Sequence, residues 1–230
     1  MQYIKIKETI EEQILQGTLS AGQKLPSERQ LAESFHTTRV TLREALSLLE
    51  SDGLIYREDR RGWFISPPRL RVPISSASTF RALATAQERQ PDIHLLKREK
   101  RLADKHAIQL MKLPPFSELY YIQTLRLLET RPVALVTYWM NLQICRHIVE
   151  NESFYDFFEA QAQDPLITVS DIHDSISLGS LVGETAFSLR ATAGTPAIFQ
   201  QRRIFCGSDV IALELSTWRH DALLLESLVE

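Results

Sequence analysis

Two arginines, Arg39 and Arg43, stand one helical turn apart in HTTRVTLREALSLLESDGLI, with Thr38 and Thr41 before and between them. Arginine presents a planar fork of donors that matches the acceptor edge of guanine, and threonine can bond a phosphate. Thr38, Arg39, Val40, Thr41 and Arg43 open a segment of helical period. A helix lying in a major groove brings that part of itself to the base edges, and its N-terminus favours an anion. Further arginines stand in two other places. Arg29 begins the preceding helical segment, and Arg60 and Arg61 precede Gly62 in a turn. Those positions suit phosphate or minor-groove contact. Each arginine alone is most simply a solvated charge; their combination is what points to DNA.

Those side chains need elements to hold them. YIKIKETIEEQILQG places Tyr3, Ile6, Ile10 and Ile14 at helical spacing, with Gly17 as its C-terminal cap. PSERQLAESF predicts a second helix, with Ser27 as N-cap and Gln30 completing a capping box. The third helix runs from about Arg39 to Asp52 and ends at Gly53, with Leu42, Ala45, Leu46 and Leu49 as one buried stripe. LIYRE and WFISP predict two short strands joined by the turn DRRG. Three helices and a two-stranded wing are the layout of a winged helix-turn-helix. SPPRLRVP is Pro-rich and without apolar period, so it predicts a linker.

Bulk properties remove other classes. The 230 residues suit one large or two small domains, and 44% hydrophobic with 24% charged residues is an ordinary globular composition. No apolar run approaches the roughly 18 residues that span a bilayer. MQYIKIKETIEEQ has no apolar signal core, and two cysteines without metal spacing fit a reducing cytoplasm. The net charge is −3, and the first 70 residues carry ten basic and ten acidic side chains. DNA binding would therefore rest on where charges fall, not on how many there are.

The second part of the chain has another pattern. IHLLKREKRL predicts a strand, and LYYIQTLRLL with PVALVTYWMNL predicts a hairpin turning at ETRP. SFYDFFEAQAQ predicts a helix capped by Ser153. LITVSDIHDSISL predicts a half-buried strand, and GETAFSLRATAGTP a helix closed by Gly194 and Pro196. AIFQQRRIFCGSDVIALELSTWRHD predicts a second hairpin with CGSD as its turn. The fold class is thus α+β, with an antiparallel sheet after the winged helix. Tyr138, Trp139 and Trp218 are expected to pack that sheet. His36, His94, His106, His147, His173 and His220 are scattered, and no nucleophile–base pair or metal spacing is present. Hence no catalytic residue, metal or cofactor is expected.

GTLSAGQKLPSERQLAESFHTTRVTLREALSLLESDGLI followed by RRGWFI closely resembles the DNA-binding domain of the GntR family of bacterial transcription regulators. By that resemblance Arg29, Thr38, Arg39, Thr41, Arg43 and Gly62 match DNA-contacting positions, and Leu25, Pro26, Ser27 and Glu28 fit the signature that orients the second helix. LYYIQTLRLLETRPVALVTYW, SFYDFFE and STWRHD are similar to the effector domain of the HutC subfamily, often called UTRA, whose fold resembles chorismate lyase. That likeness implies a small polar, often phosphorylated effector over the sheet. It implies Arg126 as the contact for an anionic group, Ser78 and Phe80 near the ligand loop, and Ser153 with Tyr155 beside the pocket. Thr124 and Val136 depart from the subfamily, standing where many relatives carry an arginine and a glutamate; Glu214 is the candidate acidic partner instead. TTRVTLREALSLLESDGLIYREDRRGWFISP with WRHDAL most resembles regulators of phosphonate utilisation.

The reading is a cytoplasmic, ligand-responsive regulator, most simply a repressor, that binds operator DNA as a homodimer and answers to an anionic metabolite such as a phosphonate or sugar phosphate. Its expected parts are a winged helix-turn-helix over residues 1–67, a linker over 68–75, and a UTRA-like, chorismate-lyase-like antiparallel-sheet domain over 76–230. DNA contacts are expected from Arg29, Thr38, Arg39, Thr41, Arg43, Arg60, Arg61 and Gly62. The rivals are an enzyme of chorismate-lyase-like fold and a winged helix used for protein contacts.

Overall fold

The computed structural model describes residues 1–74, 77–150, 154–164 and 166–227. The chain forms two compact units: Met1–Arg69 with Ser180–Pro196 and Arg219–Leu224, and Leu70–Gly179 with Ala197–Trp218 and Leu225–Glu230.

The first unit opens with α1 (Gln2–Leu15), α2 (Glu28–Ser34) and α3 (Arg39–Ser51), followed by β1 (Ile55–Glu58) and β2 (Gly62–Ile65). In α1 the buried face is Ile6 and Ile10, and Gly17 closes the helix at φ +73°, where a side chain would be strained. Ser27 accepts from the Gln30 amide while the Gln30 side chain accepts from the Ser27 amide, so the predicted capping box is present. Leu42, Ala45, Leu46 and Leu49 of α3 are fully buried against Ile6, Ile10, Leu31, Ile55 and Trp63. Each such leucine contributes roughly 1.5–3 kcal/mol of transfer free energy. β1 and β2 pair antiparallel from Ile55↔Ile65 to Glu58↔Gly62, with Arg60 and Gly62 both at positive φ in the turn.

Further along lie β3 (Leu70–Pro73), α4 (Phe80–Ala86), β4 (Pro91–Leu102), α5 (Lys105–Met111), β5 (Glu118–Leu128), β6 (Arg131–Asn141), α6 (Arg146–Glu150), α7 (Phe157–Gln161), β7 (Asp171–Ser180), α8 (Gly183–Ser188), β8 (Pro196–Cys206), β9 (Asp209–Arg219) and β10 (Leu223–Glu226). Among the described residues a six-stranded sheet runs in the order β4-β5-β6-β9-β8-β7. The pairs β4/β5, β5/β6 and β6/β9 are antiparallel. Their register sets Ile122 opposite Tyr138 opposite Glu214, and Arg126 opposite Ala134 opposite Trp218. Side chains alternate along a strand, so Thr124, Arg126, Val136, Tyr138, Glu214, Ser216 and Trp218 share one face. Both predicted hairpins are present.

Several local readings need correction. Leu70–Pro73, expected as linker, is a strand paired with β10. Leu70 is fully buried and the Ile74 amide donates to Glu226 O, contacts a Pro-rich composition does not reveal. The helix in SFYDFFEAQAQ starts at Phe157. Its N-cap is Asp156, whose carboxylate accepts from the Phe158 and Glu159 amides. Ser153 lies outside the described residues. α8 ends at Ser188, well short of Gly194. β7 is an edge strand with Leu178 exposed rather than half-buried.

Candidate DNA interface and effector cavity

Thr38 caps α3: its hydroxyl accepts from the Thr41 amide at 3.2 Å and lies 3.1 Å from the Thr41 hydroxyl. The cap fixes where the helix starts, and therefore which way Arg39 and Val40 point. Both are exposed, Val40 to 68%. Arg43 is also exposed, and its Nε donates to Glu28 Oε2 at 2.8 Å. The other Glu28 oxygen accepts from Trp63 Nε1 at 3.2 Å. One carboxylate at the start of α2 thus holds an arginine of α3 and a tryptophan of β2. Burial pushes the Glu28 carboxyl up, but the bonds from Arg43 and Trp63 outweigh it and hold the group below its ordinary value.

Arg29 pairs with Glu33 at 3.1 Å on the surface. At the wing tip Arg60 is almost wholly exposed, Arg61 pairs with the buried Glu58, and Gly62 sits at φ +102°. A groove of about 600 Å³ gathers Arg29, Arg39, Arg60, Arg61 and Gly62 with Lys24 and Arg57, which the sequence reading did not single out. Six cations and one carboxylate, Glu28, line it. Local excess is how a domain with balanced charge becomes attractive to a polyanion. The alternation of β1 would have signalled Arg57, exposed between two buried neighbours. Lys24 needed the bridge between its backbone and Phe64.

In the second unit a cavity of about 30 Å³ lies on the shared sheet face, lined by Ser78, Phe80, Arg126 and Glu214 together with Asp156, Gln200, Arg202 and Trp218. Four of the predicted effector residues therefore come together. Tyr155 is half-buried and is not among the lining residues. Arg126 is buried, and its Nη2 donates to Asp156 at 2.8 Å and to the Tyr138 hydroxyl at 3.0 Å, with Glu214 at 3.5 Å. Burial works against its charge, but Tyr138, Asp156 and Glu214 more than offset this and raise its pKa. Burial also pushes the Asp156 carboxyl up against the pull of Arg126. Arg202 donates to Asp174 of β7 at 2.9 Å, and the Asp174 side chain is buried. Arg126 Nε and Trp218 Nε1 are buried with no hydrogen-bond partner among the described residues. Trp218 is therefore part of the cavity and not only sheet packing. Asp156 and Arg202 escaped the sequence reading because their partners lie far along the chain; the sole local signal was the N-capping habit of aspartate.

Among the described residues no cluster of three or more His, Cys, Asp or Glu is placed to hold a metal, and no helix is long and apolar enough to cross a membrane.

A winged helix with a basic groove, carried on one chain with a sheet domain enclosing a polar cavity, defines a class: transcription regulators that couple a DNA reader to an effector domain. The family "Bacterial regulatory proteins, gntR family" matches residues 2–65, and the "UTRA domain" matches 86–223. The chain belongs to the GntR family of transcription regulators that carry a UTRA effector domain, and is not an enzyme. It is 28% identical over 222 residues to the HTH-type transcriptional regulator YihL of Escherichia coli K12, covering 94% of this chain and 93% of that one. It is 26% identical over 206 residues to the HTH-type transcriptional repressor NagR of Bacillus subtilis, covering 88% and 84%. In fold it is similar to PhnF of Mycobacterium smegmatis, with a TM-score of 0.66 at 22% identity over 98% and 99% of the two chains.

Proposed function

We propose that this chain is a HutC-type repressor that works in the cytoplasm, binds a near-palindromic operator as a homodimer, and loses or gains DNA affinity when a small anionic metabolite occupies the cavity of its sheet domain. Residues 1–67 would read the DNA, 76–230 would bind the effector, and 68–75 would connect them. The observation that carries the DNA half is the basic groove, in which Arg39 at the start of α3 stands with the wing arginines Arg60 and Arg61. Two-fold operators mirror two-fold proteins, which is the ground for the homodimer. The relatives named as repressors, among them NagR, support the sign of regulation.

The effector half rests on Arg126 and Arg202. Small-molecule sites span roughly 300–1,000 Å³, against about 30 Å³ here. Ligand binding must therefore part side chains that now close on one another. An anion that bonds Arg126 would replace Asp156 or Glu214, and Arg126 Nε with Trp218 Nε1 offers it two donors. A phosphonate or sugar phosphate fits that chemistry. The experiment is a mobility-shift assay on the DNA upstream of the chain's own gene, with and without a panel of phosphonates and sugar phosphates. A saturable shift of the bound fraction by a panel member supports the reading. Absence of any specific DNA complex would overturn it.

A further inference from the structure

Two residues just beyond the cavity-lining part of β9 line neither the groove nor the cavity, and bond to the backbone of both α3 and β1. Arg219, 1% exposed, donates to Asp221 at 3.2 Å, to Leu189 O at 3.1 Å and to Arg57 O in β1 at 3.4 Å, and stands over the Tyr56 ring. His220 places Nε2 2.6 Å from Glu50 O, in the last turn of α3, and Nδ1 3.0 Å from Pro196 O. Both ring nitrogens of His220 thus reach backbone carbonyls, one at the end of α3 and one at the start of β8. The Glu50 carboxyl is pushed up by burial and drawn down by His220 and Arg219. The Asp59 amide adds a bond to Arg190 O beside the wing tip. The backbones of the recognition helix and the wing strand are thus gripped at one place inside the first unit.

Chain continuity links that grip to the cavity. β9 carries Glu214 and Trp218, and ends on Arg219; β8 begins at Pro196, the His220 acceptor, and carries Gln200 and Arg202. We propose that Arg219 and His220 are positioning residues that set α3 and the wing according to the state of the cavity, touching neither DNA nor effector. Displacement of Glu214 and Trp218 by a ligand moves the strand whose next residues hold Arg57 and Glu50. The idea rests on the effector-responsive reading above, and its test separates the two.

A double-mutant cycle on DNA affinity needs no effector. The duplex is selected from a random pool with the unsubstituted chain, and its affinity is read by fluorescence anisotropy. Glu214→Gln perturbs the cavity; Arg219→Lys and His220→Gln each weaken the grip, and thermal unfolding checks that they fold. Glu214→Gln is expected to change affinity within the range of about 5- to 150-fold usual for coupled sites. In either grip variant the same change should fall below about twofold. As a second readout, hydrogen exchange at residues 50–58 should respond to Glu214→Gln in the parent chain and not in the grip variants. An unaltered effect of Glu214→Gln in both grip variants overturns the proposal. So does a Glu214→Gln chain that binds like its parent. Failure to select any duplex would instead sink the DNA-binding reading, and the grip with it.

Discussion

At the scale of single residues, the decisive groups are charges held by other charges. Glu28 is the clearest case. Its two oxygens fasten Arg43 and Trp63 at once, so it ties an exposed arginine of α3 to the start of α2 and to β2. Its carboxyl is held below the ordinary value, and such a group contributes stability that is present above its unfolded pKa and lost as pH falls through the folded one. Glu28→Gln should therefore lower the melting temperature at neutral pH, and the gap from the parent should close between about pH 6 and about pH 3. Thermal unfolding across that range checks it; a gap that widens in acid would contradict the assignment. Arg126 makes the complementary case. Arg126→Ala leaves Asp156 and Glu214 facing each other in a buried site. A loss of roughly 3–5 kcal/mol is expected in denaturant unfolding, since an uncompensated buried charge is what remains. A change under about 1 kcal/mol, the size of a surface pair, would mean the cavity is open to water.

At the scale of elements, the caps decide geometry. Thr38 caps the start of α3 at the residue before Arg39, and Thr38→Ala should cost ~1 kcal/mol of stability. It should also weaken specific DNA binding more than non-specific binding, because Arg39 and Arg43 would lose their fixed start. Comparing the two affinities in one titration is the measurement. This is also the scale at which the sequence was most legible. The periodicity of Leu42, Ala45, Leu46 and Leu49, the Ser27–Gln30 capping box and the β5–β6 and β8–β9 hairpins are local signals, written in neighbouring residues. The short helices α4, α5 and α6 have too few turns to show a period. The strand at Leu70–Pro73 depends on pairing with β10 some 150 positions on, which no local window contains. The sites divide in the same way. Arg39, Arg43, Arg60 and Arg61 are candidates that spacing alone offers, and Arg126 one that resemblance offers. Asp156, Asp174 and Arg202 are defined by partners brought together only by the sheet.

At the scale of the whole molecule, a chain of net charge −3 binds DNA only if its cations are placed together. The groove that joins Lys24, Arg29, Arg39, Arg57, Arg60 and Arg61 is that placement. Arg60, at the exposed wing tip, should contribute by counterion release. Arg60→Ala is expected to reduce the slope of log affinity against log salt by about 0.9 and to weaken binding to all sequences alike. Reciprocity follows from linkage: whatever factor the effector imposes on DNA affinity, DNA imposes on effector affinity.

The central claim is that α3 reads the operator through Arg39. Its most direct test is the affinity of Arg39→Ala for a duplex selected by the parent chain, measured beside a scrambled duplex at the same salt. Loss of a bidentate base contact predicts ~1–3 kcal/mol weaker binding to the selected duplex, with little change on the scrambled one. Undiminished binding of Arg39→Ala to the selected duplex would contradict the account.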